Sequence, residues 1–316
     1  MNKFESITGG AAGKTTSHMM WTMALLLTAV VAGCGGQDPI LGGGGKGTIG
    51  GAGGGPAAGA ANLLGLAAPF GIAATAGVTN TPTVPVSHIN GDVVLDPNAT
   101  CNSVTIDSIG GFGLCGSNAS TPTLTGKVIS LLYPDAGLTS GAIKADLKAG
   151  FLSITPPAGP PAAGSLGGGT PIAAPTGLGA PTGNPLVPGQ NVFYPGVYIS
   201  ITSIGIAGDL TLDAQGNPNA VFVFQSASSL TTGVGSNIIL TGSAKASNIW
   251  WQVGSSATLG TNSVFQGNIL SSASITMNTG AKSCGRMLAG AFTAGAFVLD
   301  SNVISVPGNP ADPLCL

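Results

Sequence analysis

Beyond residue 63 the chain breaks into short runs of alternating apolar and polar positions, punctuated by Gly, Asn, Asp and Pro. A period of two is the pattern of strands whose side chains point to opposite sides. Five runs superimpose: Leu210-Thr211-Leu212, Leu230-Thr231-Thr232, Ala257-Thr258-Leu259, Ile275-Thr276-Met277 and Phe297-Val298-Leu299. In each, the first and third residues point one way and the central Thr (Val in the last) points the other. A second set lies between them: Val221–Phe224, Ile249–Gln252, Gly267–Leu270 and Gly285–Leu288. Similar strands at intervals of about 20 residues mark a coil whose turns bury their inner faces by stacking. The spacing is irregular, and a β-sandwich is the competing architecture.

One stretch follows the helical period instead. Ile143, Leu147 and Phe151 predict a helix over about Leu138 to Leu152, capped at Thr139 or Ser140 and ended by Pro156-Pro157. Lys144, Asp146 and Lys148 fall off its apolar stripe. The Pro/Gly/Ala-rich stretch Ala158 to Gly189 has no periodicity and reads as loop.

The first 59 residues read as an address and a leash. Lys3 and Lys14 precede an apolar run, Met19 to Ala32, which is shorter than the roughly 20 residues a bilayer span needs. That is the order of a secretory signal. The run ends in Val31-Ala32-Gly33-Cys34, which resembles the lipobox of bacterial lipoproteins and implies lipidation of Cys34 after cleavage. Gly35 to about Gly59 is nearly all small residues and reads as a flexible tether. The expected organisation is a signal peptide over 1–33, a tether over 34–59 and one folded domain over 60–316, with a Pro/Gly-rich loop at about 155–190. The expected location is the bacterial cell envelope, at the outer membrane or cell surface, with the membrane touched only through the lipid.

Composition narrows the function. Charged residues make up 6% of the chain, against about a quarter in ordinary globular proteins. The surface must therefore be covered by Ser, Thr, Asn, Gly and Ala. A formal net charge of -2, with scattered Lys and Arg, gives no basic patch for nucleic acid. Of five cysteines, assigning Cys34 to lipid leaves four: Cys101, Cys115, Cys284 and Cys315. In an oxidising compartment these read as disulfides. Three pairings are open, and short loop closure favours Cys101–Cys115 with Cys284–Cys315. No CxxC spacing exists and His88 is the only histidine after the leader, so no metal site is expected.

Catalysis finds little support. Asp209 and Asp213 are the nearest approach to a carboxylate pair, but Asp213 precedes Ala-Gln-Gly-Asn-Pro and reads as a turn residue. Asp92 and Asp96 sit similarly beside Gly and Pro. His88 lacks the strand–turn–helix setting of a nucleophile elbow. The runs Gly42–Gly45 and Gly51–Gly55 lack the lysine and hydroxyl of a phosphate loop. No enzyme activity and no cofactor are expected.

Longer segments carry a family resemblance: Leu66 to Ile72 with Gly77 to Thr81, Gly91-Asp92-Val93, Pro195 to Tyr198 and Gly208 to Gln225. The densest are Trp250 to Thr261, Phe265 to Leu270, Ser274 to Ala281 and Gly285 to Ala289. Over Leu63 to Pro307 the chain resembles the bacterial and fungal ice-binding family, formerly a domain of unknown function. The resemblance implies a mostly β fold, a discontinuous right-handed β-solenoid of triangular section with one long α-helix packed alongside. It also implies adsorption to ice and ordered water through a flat face, and the chain is expected to act as a monomer. The candidate ladder on such a face is Thr211, Thr231, Thr258 and Thr276, flanked by Ser229, Ser256, Ser274, Thr261 and Thr279, with Thr79 and Thr81 extending it. The competing reading is a non-catalytic adhesin or polysaccharide-binding solenoid, for which one of Trp250 and Trp251 could supply an exposed stacking platform.

Overall fold

In the computed structural model, residues 63–81, 83–98, 100–101, 104–105, 122–131, 134–135, 137–156, 170–172, 178–307 and 315 are described. Short strands stack side by side in parallel, and each full turn of chain visits three walls. One turn runs Ile249–Val253, Ala257–Leu259, Val264–Gln266, and the next runs Asn268–Ser271, Ile275–Met277, Lys282–Cys284. The first wall has nine strands and the second eight; the third is built from sheets of five and three. All the strand pairs are parallel except Thr100–Cys101 with Val104–Thr105.

Chain order and stacking order differ. Phe70–Ala74, near the start of the described chain, lies between Met287–Leu288 and Asp92–Leu95 on the first wall. Val78–Asn80 pairs with Phe297–Leu299 on the second, and His88–Asn90 with Val303–Ser305 on the third. The turn Met287–Leu288, Phe297–Leu299, Val303–Ser305 is thus the seam between an early stack and a late one.

In-register parallel stacking repeats each column about every 4.8 Å, so like side chains pile up inside the coil. Phe224 and Trp251 stack with centroids 4.1 Å apart, Tyr198 lies 5.2 Å from Phe224, and Phe265 lies 5.3 Å from Trp251. The Trp251 indole donates to the Gln266 carbonyl at 3.1 Å, so its one polar atom is satisfied. Trp250, one residue earlier, points the opposite way and joins a second core beneath the helix.

That helix, α1, spans Ser140–Ser153, within two residues of the span the periodicity predicts. Thr139 is its N-cap, accepting from the Ala142 N–H at 3.2 Å, a contact worth about 1 kcal/mol. Ile143, Leu147 and Phe151 are buried against Val223, Trp250, Leu270 and Leu288 of the first wall. Asp146 departs from the expectation of a free polar face. Its carboxylate accepts from the Leu66 N–H at 2.8 Å and fastens the 3-10 turn Gly65–Ala67 to the helix.

A second fastening is Arg286, 1% exposed. Its Nε–H donates to the Ala68 carbonyl and its Nη1–H to Asn268 Oδ1 at 3.0 Å. Burial pulls the guanidinium down to about 10, so it stays charged at neutral pH. Asn268 in turn donates to the carbonyls of Ala246, Ser247 and Ile249. The network joins the first described turn of chain to the corner entering the first wall.

The disulfide Cys284–Cys315 closes a separation of 31 residues and ties residue 315 to the third wall. Cys101 is also disulfide-bonded; Cys115, its expected partner, lies outside the described residues, as does Cys34. The stretch expected as loop is not loop throughout. Thr170–Pro171 pairs with Tyr198 and Ile199 at the margin of the first wall as described, an edge position of the kind that proline, lacking an N–H, tolerates.

Candidate functional site

The helix covers the first wall, and the disulfide-tethered residue 315 lies against the third. Among the described residues, no helix lies on the outer surface of the second wall. Its strands are Ile204–Ile206, Leu230–Thr232, Ala257–Leu259, Ile275–Met277, Phe297–Leu299, Val78–Asn80, Thr100–Cys101 and Val104–Thr105. Alternation sends Leu230, Ala257, Ile275, Phe297 and Val78 into the core, all nearly fully buried. The central residue of each strand must then face outward.

Register makes these outward residues a column. Gly205 pairs with Thr231, Thr231 with Thr258, Thr258 with Thr276, Thr276 with Val298 and Val298 with Thr79. Thr231 and Thr79 are exposed, and the others are half-buried by their neighbours. Beside them runs a serine column one position before each strand: Ser203, Ser229, Ser256 and Ser274. Backbone pairing aligns it, with Leu230 N–H on Ser256 O and Ala257 N–H on Ser274 O, both in hydrogen-bond range. Ser229 Oγ donates to Ser203 Oγ at 2.9 Å, and Ser274 Oγ accepts from Ala296 N–H at 3.0 Å.

Thr261 and Thr279 lie past the strands, at the corner leading to the third wall. Asn262 N–H donates to Thr279 O at 3.0 Å, which keeps the two turns in step. The Thr279 hydroxyl is bonded to the Asp300 carboxylate, an acid at the rim of this wall. The eight strands themselves contain no Asp, Glu, Lys, Arg or His.

Thr211 is a correction to the expected ladder. Its strand, Leu210–Asp213, belongs to the three-stranded sheet of the third wall, where Thr211 pairs with Val192 and Ile239 and is 7% exposed. The Leu-Thr-Leu pattern matched the wrong strand of that turn. The strand that occupies the open wall there is Ile204–Ile206, with Gly205 at the outward position. Sequence reading missed it because Gly replaces Thr. The serine before an apolar residue, in Ser203-Ile204 as in Ser229-Leu230 and Ser274-Ile275, was the usable signal. Thr79, offered only as an extension, proves integral to the column through the seam, and Thr81 follows it at the strand end with its N–H on Leu299 O.

The acids and the histidine weighed for chemistry are each engaged structurally. Asp209 accepts from the Thr182 hydroxyl and the Asn237 side chain. Asp213 accepts from Gln215 N–H at 2.8 Å, the turn role its context predicts. Asp96 accepts from the Ser140 hydroxyl at 2.6 Å, and Asp92 from Lys127 N–H at 2.9 Å. His88 lies between Thr123 and Asn90, at 2.6 and 2.8 Å. Among the described residues, no three His, Cys, Asp or Glu side chains gather as a metal site would require.

Comparison with known proteins supplies a family for this three-walled coil: residues 72–305 match the family model described as ice-binding-like. The chain belongs to the ice-binding-like family. Over 112 residues it is 50% identical to an ice-binding protein of Nostoc sp., a match covering 35% of this chain and 40% of that protein. A longer match, 30% identity over 251 residues, covers 78% of this chain and 88% of an ice-binding protein of Flammulina populicola. The crystal structure of an ice-binding protein from the Antarctic ascomycete Antarctomyces psychrotrophicus superimposes with a TM-score of 0.54 at 33% identity, covering 77% of this chain and 96% of that one. The ice-binding-like match begins at Ile72 and ends at Ser305, on the two stacks whose seam completes the open wall.

Proposed function

We propose that this ice-binding-like protein adsorbs to ice through the open second wall, and so limits ice growth or holds its cell to ice. The observation that carries the reading is the outward column Thr231–Thr258–Thr276–Val298–Thr79 with its serine column alongside, on a wall whose strands are uncharged. Thr presents a methyl and a hydroxyl on a stiff, β-branched frame. Stacked on a rigid coil, such groups hold surface water in a fixed arrangement before ice is met. Preorganisation lowers the entropic cost of association, and bridging waters supply the polar contacts. A charged side chain would orient its hydration shell about itself instead.

The adhesin reading has less to stand on. Trp250 and Trp251 are each 1% exposed, so neither offers a sugar-stacking platform. The protein acts, on this reading, as a monomer without cofactor or catalytic step. Its coil winds right-handed, as parallel crossovers almost always do. It reaches the cell envelope on a lipid at Cys34, a reading supported by the lipobox-like sequence and by the even number of cysteines left over.

Two measurements test this. The purified protein should slow ice recrystallisation at concentrations where its heat-unfolded form does not; a folded protein that leaves crystal growth unchanged would end the ice reading. Wild-type protein should partition into the detergent phase of a cell extract and Cys34→Ala protein into the aqueous phase. Equal partitioning would remove the lipid anchor and leave the ice assay unaffected.

A further inference from the structure

At the C-terminal end of α1, where first-wall strands turn toward the second wall, lies a groove of about 430 Å³. Its sides are apolar: Phe151 and Leu152 from the helix, Ile199 and Ile201 from the end of strand Gly196–Ser200 and the turn after it, and Phe292 from the loop opposite. Leu152, Ile201 and Phe292 are all substantially exposed. Among the described residues, no Asp, Glu, Lys, Arg or His lines it. The nearest cation described, Lys148, sits with Nζ 5.0 Å from the Phe292 ring centroid.

The polar side chains around the groove are engaged, with one exception. Ser200 Oγ donates to Ser203 O at 3.0 Å, Thr155 Oγ1 to Phe151 O at 2.7 Å, and Ser272 Oγ meets Thr293 Oγ1 at 3.5 Å. Gln252 is the exception. It lies on the outward row of the first wall, next to Gln225 and Leu270 in register, and is 2% exposed. Its Oε1 is buried without a hydrogen-bond partner. A buried amide is normally paired, and leaving one unpaired is unfavourable. Rotation about the last side-chain torsion turns either the oxygen or the NH2 toward the groove.

We propose that this groove is a binding site for a small neutral hydroxyl compound, an alcohol or phenol with an aromatic or branched apolar body. The apolar sides take the body, and the hydroxyl, donor and acceptor at once, satisfies Gln252 in either orientation. The uncharged lining disfavours ions, which would lose their hydration without compensation. Size and character match ordinary small-molecule sites, mostly apolar with a few placed polar groups. The site is independent of the ice reading, since it lies on the helix side of the coil.

Benzyl alcohol and toluene, which differ by the hydroxyl group, are the probes. Titrated into 15N-labelled whole protein, benzyl alcohol should give saturable shifts confined to residues around Phe151, Gln252 and Phe292, with toluene binding at least about tenfold more weakly. Gln252→Leu should erase the difference between the two, and Ala227→Trp, on the exposed rim, should block both. Melting curves and spectral dispersion confirm that each variant is folded. Absence of saturable shifts in the native protein, or equal affinity for the two probes, overturns the proposal. Binding seen only after deletion of residues 157–169 also overturns it, and would assign the groove to that segment.

Discussion

Thr258→Tyr and Thr276→Tyr should each raise the protein concentration needed to arrest ice recrystallisation by at least about tenfold, equivalent to about 1.4 kcal/mol of adsorption energy, and together should abolish it. The two residues are register partners at the middle of the outward column. A tyrosine at either position stands proud of a surface whose other members are short. It holds the neighbouring turns away from any flat crystal plane and breaks the water layer on both sides. The fold should be untouched, because the side chain points out and aromatic residues suit strands. Lys282→Tyr, exposed on the third wall, should leave the activity at the native level and provides the control. Full activity in the folded double variant would move the ice-contacting surface to another wall.

Trp251→Ala should lower stability by about 3–5 kcal/mol, the range for deleting a buried aromatic. At about 2–4 °C per kcal/mol for a domain of this size, the melting temperature should fall by roughly 6–20 °C. Two aromatic partners lose contact, Phe224 and Phe265. The Gln266 carbonyl loses its donor as well. No neighbouring chain can collapse into the gap, because each turn is held in register from above and below. Trp250→Ala removes a ring of the same size from the other side of the strand, in the core beneath the helix. There the expected loss of signal is in the helix first, seen as faster amide exchange at Ile143 and Leu147. A Trp251→Ala loss below about 1 kcal/mol would show that the stack contributes little beyond ordinary packing.

The division between what the residue pattern revealed and what it hid follows wall by wall. First-wall strands such as Val221–Phe224 and Ile249–Gln252 were legible because they run four or five residues and are apolar on both sides, one side for the core and one for the helix. Open-wall strands were legible through a single Thr between two apolar residues. The third wall was hardly visible. In its five-stranded sheet the strands are two or three residues long and send one residue inward, such as Phe265, Ile304 or Ile89, and a single apolar residue among polar ones carries no period. Thr211 was misplaced for the opposite reason, since Leu210-Thr211-Leu212 imitates the open-wall pattern while lying a wall away. Of the proposed ice-contacting residues, those in regular turns could be read from the sequence. Gly205 could not, and Thr79 could be placed only by knowing which strand it meets across the seam.

That seam has a consequence for when the protein becomes what it is. A ribosome delivers Thr79 early and Val298 more than two hundred residues later, yet the two are neighbours on one surface. The early strands Phe70–Ala74, Asp92–Leu95 and Val128–Ser130 can begin to pair among themselves, as can those from Gly196 onward. Neither stack has its mate until the stretch from Met287 to Ser305 has emerged and closed between them. Contacts of such long sequence separation form slowly, because the loop entropy must be surrendered before any pairing is gained. Closure of the open wall therefore waits for strands made late in the domain. A nascent chain halted before residue 287 holds both halves of its future surface and can join neither to the other.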